Sequence, residues 1–376
     1  MKRYLIGICF LLIANGLMAQ MTNNFRTLMH TYDATTLNPG KWVIYNNLNF
    51  YSKASELSDP SIPSKDFRAN NYWTVGDNLS VCYGIMNHFD ATIGIRVYQD
   101  TNIKEDNNLP DDLFLTLRGG SFSFVDNHFH QAVIAGFRFP TAKYHNYLWS
   151  EFSSGAPFEY GIKWAVTYYS DNYLMDKKLN FHFNLGYWNH NEKGVDLYKL
   201  SGGQMLSGSQ NSGNMDLALA IVFPTTHLDF RFELNGMYYL SDPDSFVYSN
   251  GNYTYFSPSI KYKASNKFSL DFGVDFRLSG DECDIPTWMR HPAKHLNLPK
   301  MYVPWKVNFG ISFAFGNLQE FAYYDNPKEQ EKAKLKHKIY KEEQKSHKTQ
   351  KEIMNIRKVS DEIDKEIEDL QKKLED

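Results

Sequence analysis

The chain has 376 residues, a formal net charge of −3 and 16% aromatic residues. So even a charge balance gives no footing for a nucleic-acid partner, whereas the aromatic share is high for a soluble protein and expected of a barrel with interfacial girdles. Mean hydropathy is negative, which does not exclude a membrane protein, because a strand with one lipid-facing side averages out as polar.

The N-terminus, MKRYLIGICFLLIANGLMAQ, places Lys2 and Arg3 before an apolar run and small residues before Gln20. This pattern predicts a secretory signal peptide over 1–19, cleaved after Ala19. Cys9 leaves with it. Cys82 then sits in a strand pattern and Cys283 in a loop, an arrangement that favours two thiols over a disulfide. No other apolar stretch approaches the roughly 18 residues of a spanning helix. An exported chain of this kind embeds in a membrane only as a closed barrel. Residues 20–40 are expected to form an N-terminal periplasmic segment or a partial plug.

From Trp42 to Gly316 alternating segments recur, and about twelve are counted, an even number as a single-chain barrel requires. The clearest are 91–98, 158–168, 179–188, 228–239, 268–278 and 303–315. Fainter ones run through 42–51, 73–86, 112–125, 130–139, 213–223 and 253–263. Residues 268–278, FSLDFGVDFRL, set Phe, Leu and Val on one side and Ser, Asp, Gly and Arg on the other, the period of two of a β-strand. Within 112–125 the phase slips at Gly119 and Gly120, which predicts a bulge.

The connections alternate in length. Short ones lie at 87–90, 126–129, 224–227 and 265–267, with 170–177 somewhat longer. Long polar links lie near 52–72, 99–111, 140–157, 189–212, 240–252 and 279–302. Short turns at one rim and long loops at the other are the pattern of outer-membrane barrels, and a Greek-key sandwich has no reason to obey it. Tyr98, Tyr187, Trp188, Tyr238, Tyr239, Tyr253, Tyr255, Tyr302, Trp305 and Trp73 fall at strand ends beside long loops. Their shared rim suggests a girdle at the outer membrane–water boundary.

With the apolar rows toward lipid, the lumen-facing rows carry Arg96, Arg138, Glu159, Lys163, His182, Asp229, Arg231, Glu233, Lys261, Asp271, Asp275, Arg277 and Lys306. Two readings stay open: a transverse field across an open pore, or a salt-bridge network filling a narrow barrel. Gly94, Gly136, Gly161, Gly186, Gly273 and Gly310 on the same rows incline toward open space, although Gly also serves strand bending.

His291 and His295, near Asp281, Glu282, Cys283 and Asp284, have the donors for a divalent metal. Pro292 and the lack of a motif make a polar surface loop the better reading, so no metal and no cofactor are expected. The acidic run 106–112 has the charge to attract calcium but lacks EF-hand spacing, and is expected to be a solvated loop. A lipid hydrolase would need a Ser and a His on the lipid side, but those rows are apolar and His182 points inward, so no catalytic constellation is found.

After Gly316 the character changes. Residues 317–376 are expected to form a charged periplasmic helix or short coiled coil, with Ile353, Ile356, Ile363, Ile367, Leu370 and Leu374 at a/d spacing and Ser360 as a polar interruption. Basic residues dominate 328–358 and acidic ones 361–376, the wrong polarity for an isolated helix. Antiparallel pairing with a second tail, or docking on a periplasmic partner, would compensate it.

Signal peptide, amphipathic strands and the Phe-rich final strand VNFGISFAF together resemble the Gram-negative outer-membrane β-barrels, the porin-like and small-solute channels. That resemblance covers residues 1–316 and implies an all-β transmembrane antiparallel barrel surrounded by outer-membrane lipid, with small polar or charged solutes as its cargo. The charged tail departs from the pattern and keeps an alternative open: a closed barrel that anchors or assembles, with the tail as its working part.

Overall fold

A computed structural model describes residues 28–57, 68–101, 109–143, 145, 157–200, 202–247, 250–280, 302–316 and 327–375. The first hairpin joins β1 (Lys41–Leu57) and β2 (Arg68–Met86). Five strands follow: β3 (Phe89–Thr101), β4 (Leu113–Phe124), β5 (Phe129–Phe139), β6 (Glu159–Tyr169) and β7 (Asn180–Asn189). A small two-stranded sheet, β8 (Asp196–Lys199) with β9 (Met205–Ser207), interrupts the succession. The chain then returns through β10 (Gly213–Pro224), β11 (Leu228–Ser241), β12 (Tyr253–Lys263), β13 (Phe268–Arg277) and β14 (Trp305–Gly316).

Twelve of these strands close into one antiparallel barrel in the order β1-β14-β13-β12-β11-β10-β7-β6-β5-β4-β3-β2. Each strand pairs with its neighbours in sequence apart from the β8–β9 excursion. Closure is made by β1 against β14, from Lys41 opposite Gly316 to Phe50 opposite Val307. A cylinder is the shape that removes both sheet edges, so all backbone groups of the wall find partners without water.

Period-two alternation assigns the faces. Along β13, Ser269, Asp271, Gly273 and Asp275 are buried, while Phe272 and Phe276 are 52% and 47% exposed. Phe230, Phe232, Leu234, Phe256, Ile260, Phe309 and Phe313 repeat that outward apolar row on neighbouring strands. A continuous apolar belt with polar groups inside is the inverse of a soluble sandwich and identifies a transmembrane barrel. No described helix is long and apolar enough to cross a membrane.

The anticipated bulge is present: pairing of β4 with β5 shifts between Gly119 and Phe122, and Ser121 adopts a φ of 60°. A second shift between Asp77 and Asn78 marks the β2–β3 ladder. Pro258, with no N–H to give, sits in β12 where its pairing to β13 skips from Phe256 to Ser259.

Two sequence expectations are corrected. Strand β1 continues to Leu57 and β2 starts at Arg68, so much of the polar link at 52–72 is strand rising past the belt. The aromatic rim is divided between the two faces: Trp188, Tyr253, Tyr255 and Tyr302 are buried inside, whereas Trp305 faces out. Tyr253, Tyr255 and Tyr302 pack with Met237, Tyr198, Tyr239 and Phe246 into an aromatic core beneath the long loops. Strand-end position fixes depth but not face, and one residue of phase moves a ring from lipid to lumen.

Beyond the barrel, and considered by itself, α1 (Pro327–Glu375) is a single helix, and most of its described charged side chains are exposed to solvent. Short-range pairs such as Lys332 with Glu329 and Lys345 with Glu342 support it. Ile353 and Ile356 are exposed. The side chains of Ile363, Ile367, Leu370 and Leu374 lie outside the described residues, as does the cluster around His291 and His295.

Candidate functional site in the lumen

The lumen is occupied by the chain itself. Residues 28–38, joined to β1 through Pro39 and Gly40, run as an irregular, bent strap along the inner wall, and the wall binds them chiefly through the backbone. Glu233 of β11 accepts N–H groups of three successive residues: Met29 on Oε1 at 2.7 Å, His30 and Thr31 on Oε2 at 2.9 and 2.8 Å. Three consecutive amides converging on one carboxylate form an anion nest, with the anion supplied by the wall.

The grip continues strand by strand. Asn184 of β7 brackets Tyr32, accepting its N–H at 2.6 Å and donating to its carbonyl at 2.9 Å. Thr167 of β6 accepts from Ala34 at 3.0 Å, Ser121 of β4 from Thr36 at 2.8 Å, and Asp90 of β3 from Leu37 at 2.9 Å. Arg118 donates to the carbonyls of Asp33 and Thr35, both at 3.0 Å. The β4 bulge serves this contact, since it turns the Ser121 N–H onto the Ala34 carbonyl at 2.8 Å.

Apolar contacts add to these bonds. Tyr32 packs on Ala132, Ile134 and Ala165; Leu28 on Ala220 and Val222; Leu37 on Val43, Cys82 and Ala314. Burying each such side chain is worth roughly 1.5–3 kcal/mol. Glycines make the room: a Cβ on Gly120 would lie 2.6 Å from the Ala34 carbonyl oxygen, and one on Gly84 would lie 2.1 Å from that of Asn38.

Space at two of the lumen glycines named from the sequence, Gly310 and Gly273, is likewise filled. A Cβ on Gly310 would meet the Tyr45 hydroxyl at 2.5 Å, and one on Gly273 the Met29 Cε at 2.9 Å. At these two positions the sequence reading of open space is therefore corrected. They accommodate large neighbours.

The thirteen charged positions read from the sequence all lie on inward rows, and the structure pairs most of them. Arg231 meets Asp271 at 2.7 Å, with Lys261 at 3.9 Å from the same carboxylate. Lys306 lies 3.6 Å from Asp275, which also lies 2.9 Å from His30 of the strap. Arg138 bridges Glu159 at 3.2 Å and Asp112, and Glu159 also receives Trp188 Nε1 and lies 3.1 Å from His190. Arg96 reaches Asp111 at 3.2 Å, and Lys163 lies 3.8 Å from Asp216 and above the Tyr32 ring. His182 contacts Thr167 at 3.0 Å, Asp229 pairs with Lys263 at 2.5 Å, and Arg277 donates to the Tyr302 carbonyl at 2.6 Å. Buried charges paired in this way fit the second of the two sequence readings, although the Nε of Arg231 is buried without a hydrogen-bond partner.

The sequence reading missed Asp33, Asp90, Asp111, Asp112, Arg118, Asn184, Asp216 and His190. Arg118 was hidden by the phase slip two residues later. Asp111 and Asp112, expected to be solvated, are instead buried against Arg96 and Arg138; they and His190 come from links, where no alternation assigns a face. At the long-loop rim, burial opposes charging His190, but the Glu159 carboxylate outweighs it and holds the imidazole pKa above its ordinary value. Burial raises Glu192, whose carboxylate accepts the Ser212 hydroxyl. Burial also raises Asp111 against the pull of Arg96.

Among the described residues no group of His, Cys, Asp and Glu is arranged to hold a metal ion. Cys82 is buried.

No family model and no curated protein matches the chain. Solved structures do resemble it. The NanC porin aligns with 72% of this chain and 98% of its own at 12% identity and a TM-score of 0.44. An outer membrane channel from Pseudomonas putida F1 aligns with 75% and 98% at 10% identity and a TM-score of 0.47. The TodX monoaromatic hydrocarbon channel aligns with 75% and 91% at 9% identity and a TM-score of 0.35. At these scores the solutes of those channels say nothing about this chain, whose closed barrel rests on its own register.

Proposed function

We propose that the protein is a non-enzymatic outer-membrane channel for small polar or charged solutes, held closed in this conformation by its own strap. The observation that carries this reading is the contrast between wall and filling. The wall is a continuous ladder, whereas the strap is held inside it by side-chain hydrogen bonds and apolar contacts that separate without breaking any wall pairing. An even strand number sets both barrel ends at the short-turn rim, on the periplasmic side of an exported protein. Planar-bilayer recording of purified protein tests the proposal: brief, infrequent conductance steps are expected from the wild type and frequent ones from Glu233→Gln.

A second reading is favoured by the saturated ion pairs and by the exposed Ile353 and Ile356 of α1. Here the barrel is a closed anchor, and α1 self-associates or docks on a periplasmic partner through Ile353, Ile356, Ile363, Ile367, Leu370 and Leu374. Absence of steps from both wild type and Glu233→Gln would select this reading.

A further inference from the structure

The strap is a peptide, and what the wall recognises in it is mainly the peptide bond. Along residues 29–37 the wall offers acceptors to successive backbone N–H groups: Glu233 to three of them, then Asn184, Thr167, Ser121 and Asp90 to one each. Arg118 supplies the opposite polarity, donating to two strap carbonyls. Main-chain recognition of this kind gives affinity that depends weakly on side-chain sequence, as in strand addition to a sheet edge. A narrow lumen filled only to block a pore needs bulk. Acceptors on five strands, matched to the amides of residues 29–32, 34, 36 and 37 in one bent conformation, are more specific than bulk requires.

We propose that the inner wall is a binding track for the backbone of a peptide, that residues 28–38 are its resident ligand in cis, and that short peptides are the solute class the barrel accepts when the strap leaves. This inference rests on the channel reading for its transport half only; peptide binding stands or falls by itself. Covalent attachment through Pro39 and Gly40 gives the strap a high effective concentration, so a free peptide is expected to bind weakly while the strap is docked and well once it is released.

The test leaves every wall residue intact. In the full-length protein, Met29→Pro/His30→Pro/Thr31→Pro removes the three N–H donors that Glu233 accepts. A fluorescent peptide with the sequence of residues 28–38 is titrated against the detergent-solubilised variant and wild type, followed by anisotropy. At least tenfold tighter binding to the variant is expected. The same peptide N-methylated at the amides of residues 29–32 should lose that binding. Equal binding of the methylated peptide, or no binding of either, would overturn the track. In bilayers the variant should conduct, and the unmethylated peptide should reduce its current at least fivefold. Binding without conductance would leave the track standing and remove the channel; conductance without binding or block would do the reverse. His30→Pro alone, a smaller perturbation, should show the same order of affinities if the triple variant does not assemble.

Discussion

Replacing Glu233 by Gln probes the far end of the strap with the smallest change in shape. In the native wall Oε1 takes one backbone amide and Oε2 takes two. Gln keeps one oxygen, so in its better orientation it retains the pair from His30 and Thr31 and turns an amide N–H toward that of Met29. The loss is then one bond to a charged acceptor, worth about 1.5–3 kcal/mol, plus the weakening of two others from charged to neutral. A net 2–4 kcal/mol corresponds to roughly a 30- to 1000-fold rise in the undocked fraction. Thr31→Cys reports it, because Thr31 is buried and its hydroxyl has no hydrogen-bond partner. A charged maleimide should label that thiol slowly in the otherwise native protein and at least 30-fold faster with Glu233→Gln. An unchanged rate would show that the nest does not hold the strap, and the gating argument would fall with it.

Topology is checked in intact cells: a cysteine at Ser245, exposed in a long link, should label from outside, and one at Thr225 in the short β10–β11 turn should not. Gly84→Ala would set a Cβ 2.1 Å from the Asn38 carbonyl, so the strap root should be displaced and thermal unfolding, followed by the shift in electrophoretic migration, should fall by several degrees; an unchanged midpoint would refute the close approach. The link after β7 should loosen as pH rises. His190 and Glu192 are both raised in the folded state, so each contributes stability that is complete below its unfolded value and is lost as pH climbs through its folded one. Hydrogen exchange near Ser212, corrected for intrinsic rate, should be more protected at pH 6 than at pH 9, and the opposite order would contradict the assignment. If α1 self-associates, Ile353→Asp/Ile356→Asp should lower the oligomer mass of the full chain measured by light scattering, and no change would remove those positions from any interface.

The strands were legible because lipid imposes a strict rule on them. FSLDFGVDFRL alternates without a fault, since every second residue must satisfy hydrocarbon and the others a polar interior. The same rule exposed the β4 bulge as a slip of phase at Gly119 and Gly120. Legibility ended where the rule stops. Trp188 and Tyr255 share their depth with Trp305 yet face the opposite way, and depth alone was read. The charged rows were found, but whether they surround water or one another depends on what else enters the lumen. That is decided by LMHTYDATTLN, residues 28–38, a stretch with no alternation, whose hold on the wall runs largely through atoms common to all residues. Backbone recognition leaves little trace in composition.

The place where the strap joins the wall has a consequence for biogenesis. Lys41, joined to the strap through Pro39 and Gly40, is the first rung of the seam, opposite Gly316 at the end of the last strand. All other ladders can form from chain neighbours, but the seam waits for β14, the final strand to be made. Until it zips, the nascent sheet is an open trough into which the preceding segment can lie down sideways. Afterwards that segment can enter or leave only lengthwise. The last ladder to form therefore fixes the route as well as the cylinder, and a chain whose seam zips before the strap has settled must draw it in lengthwise.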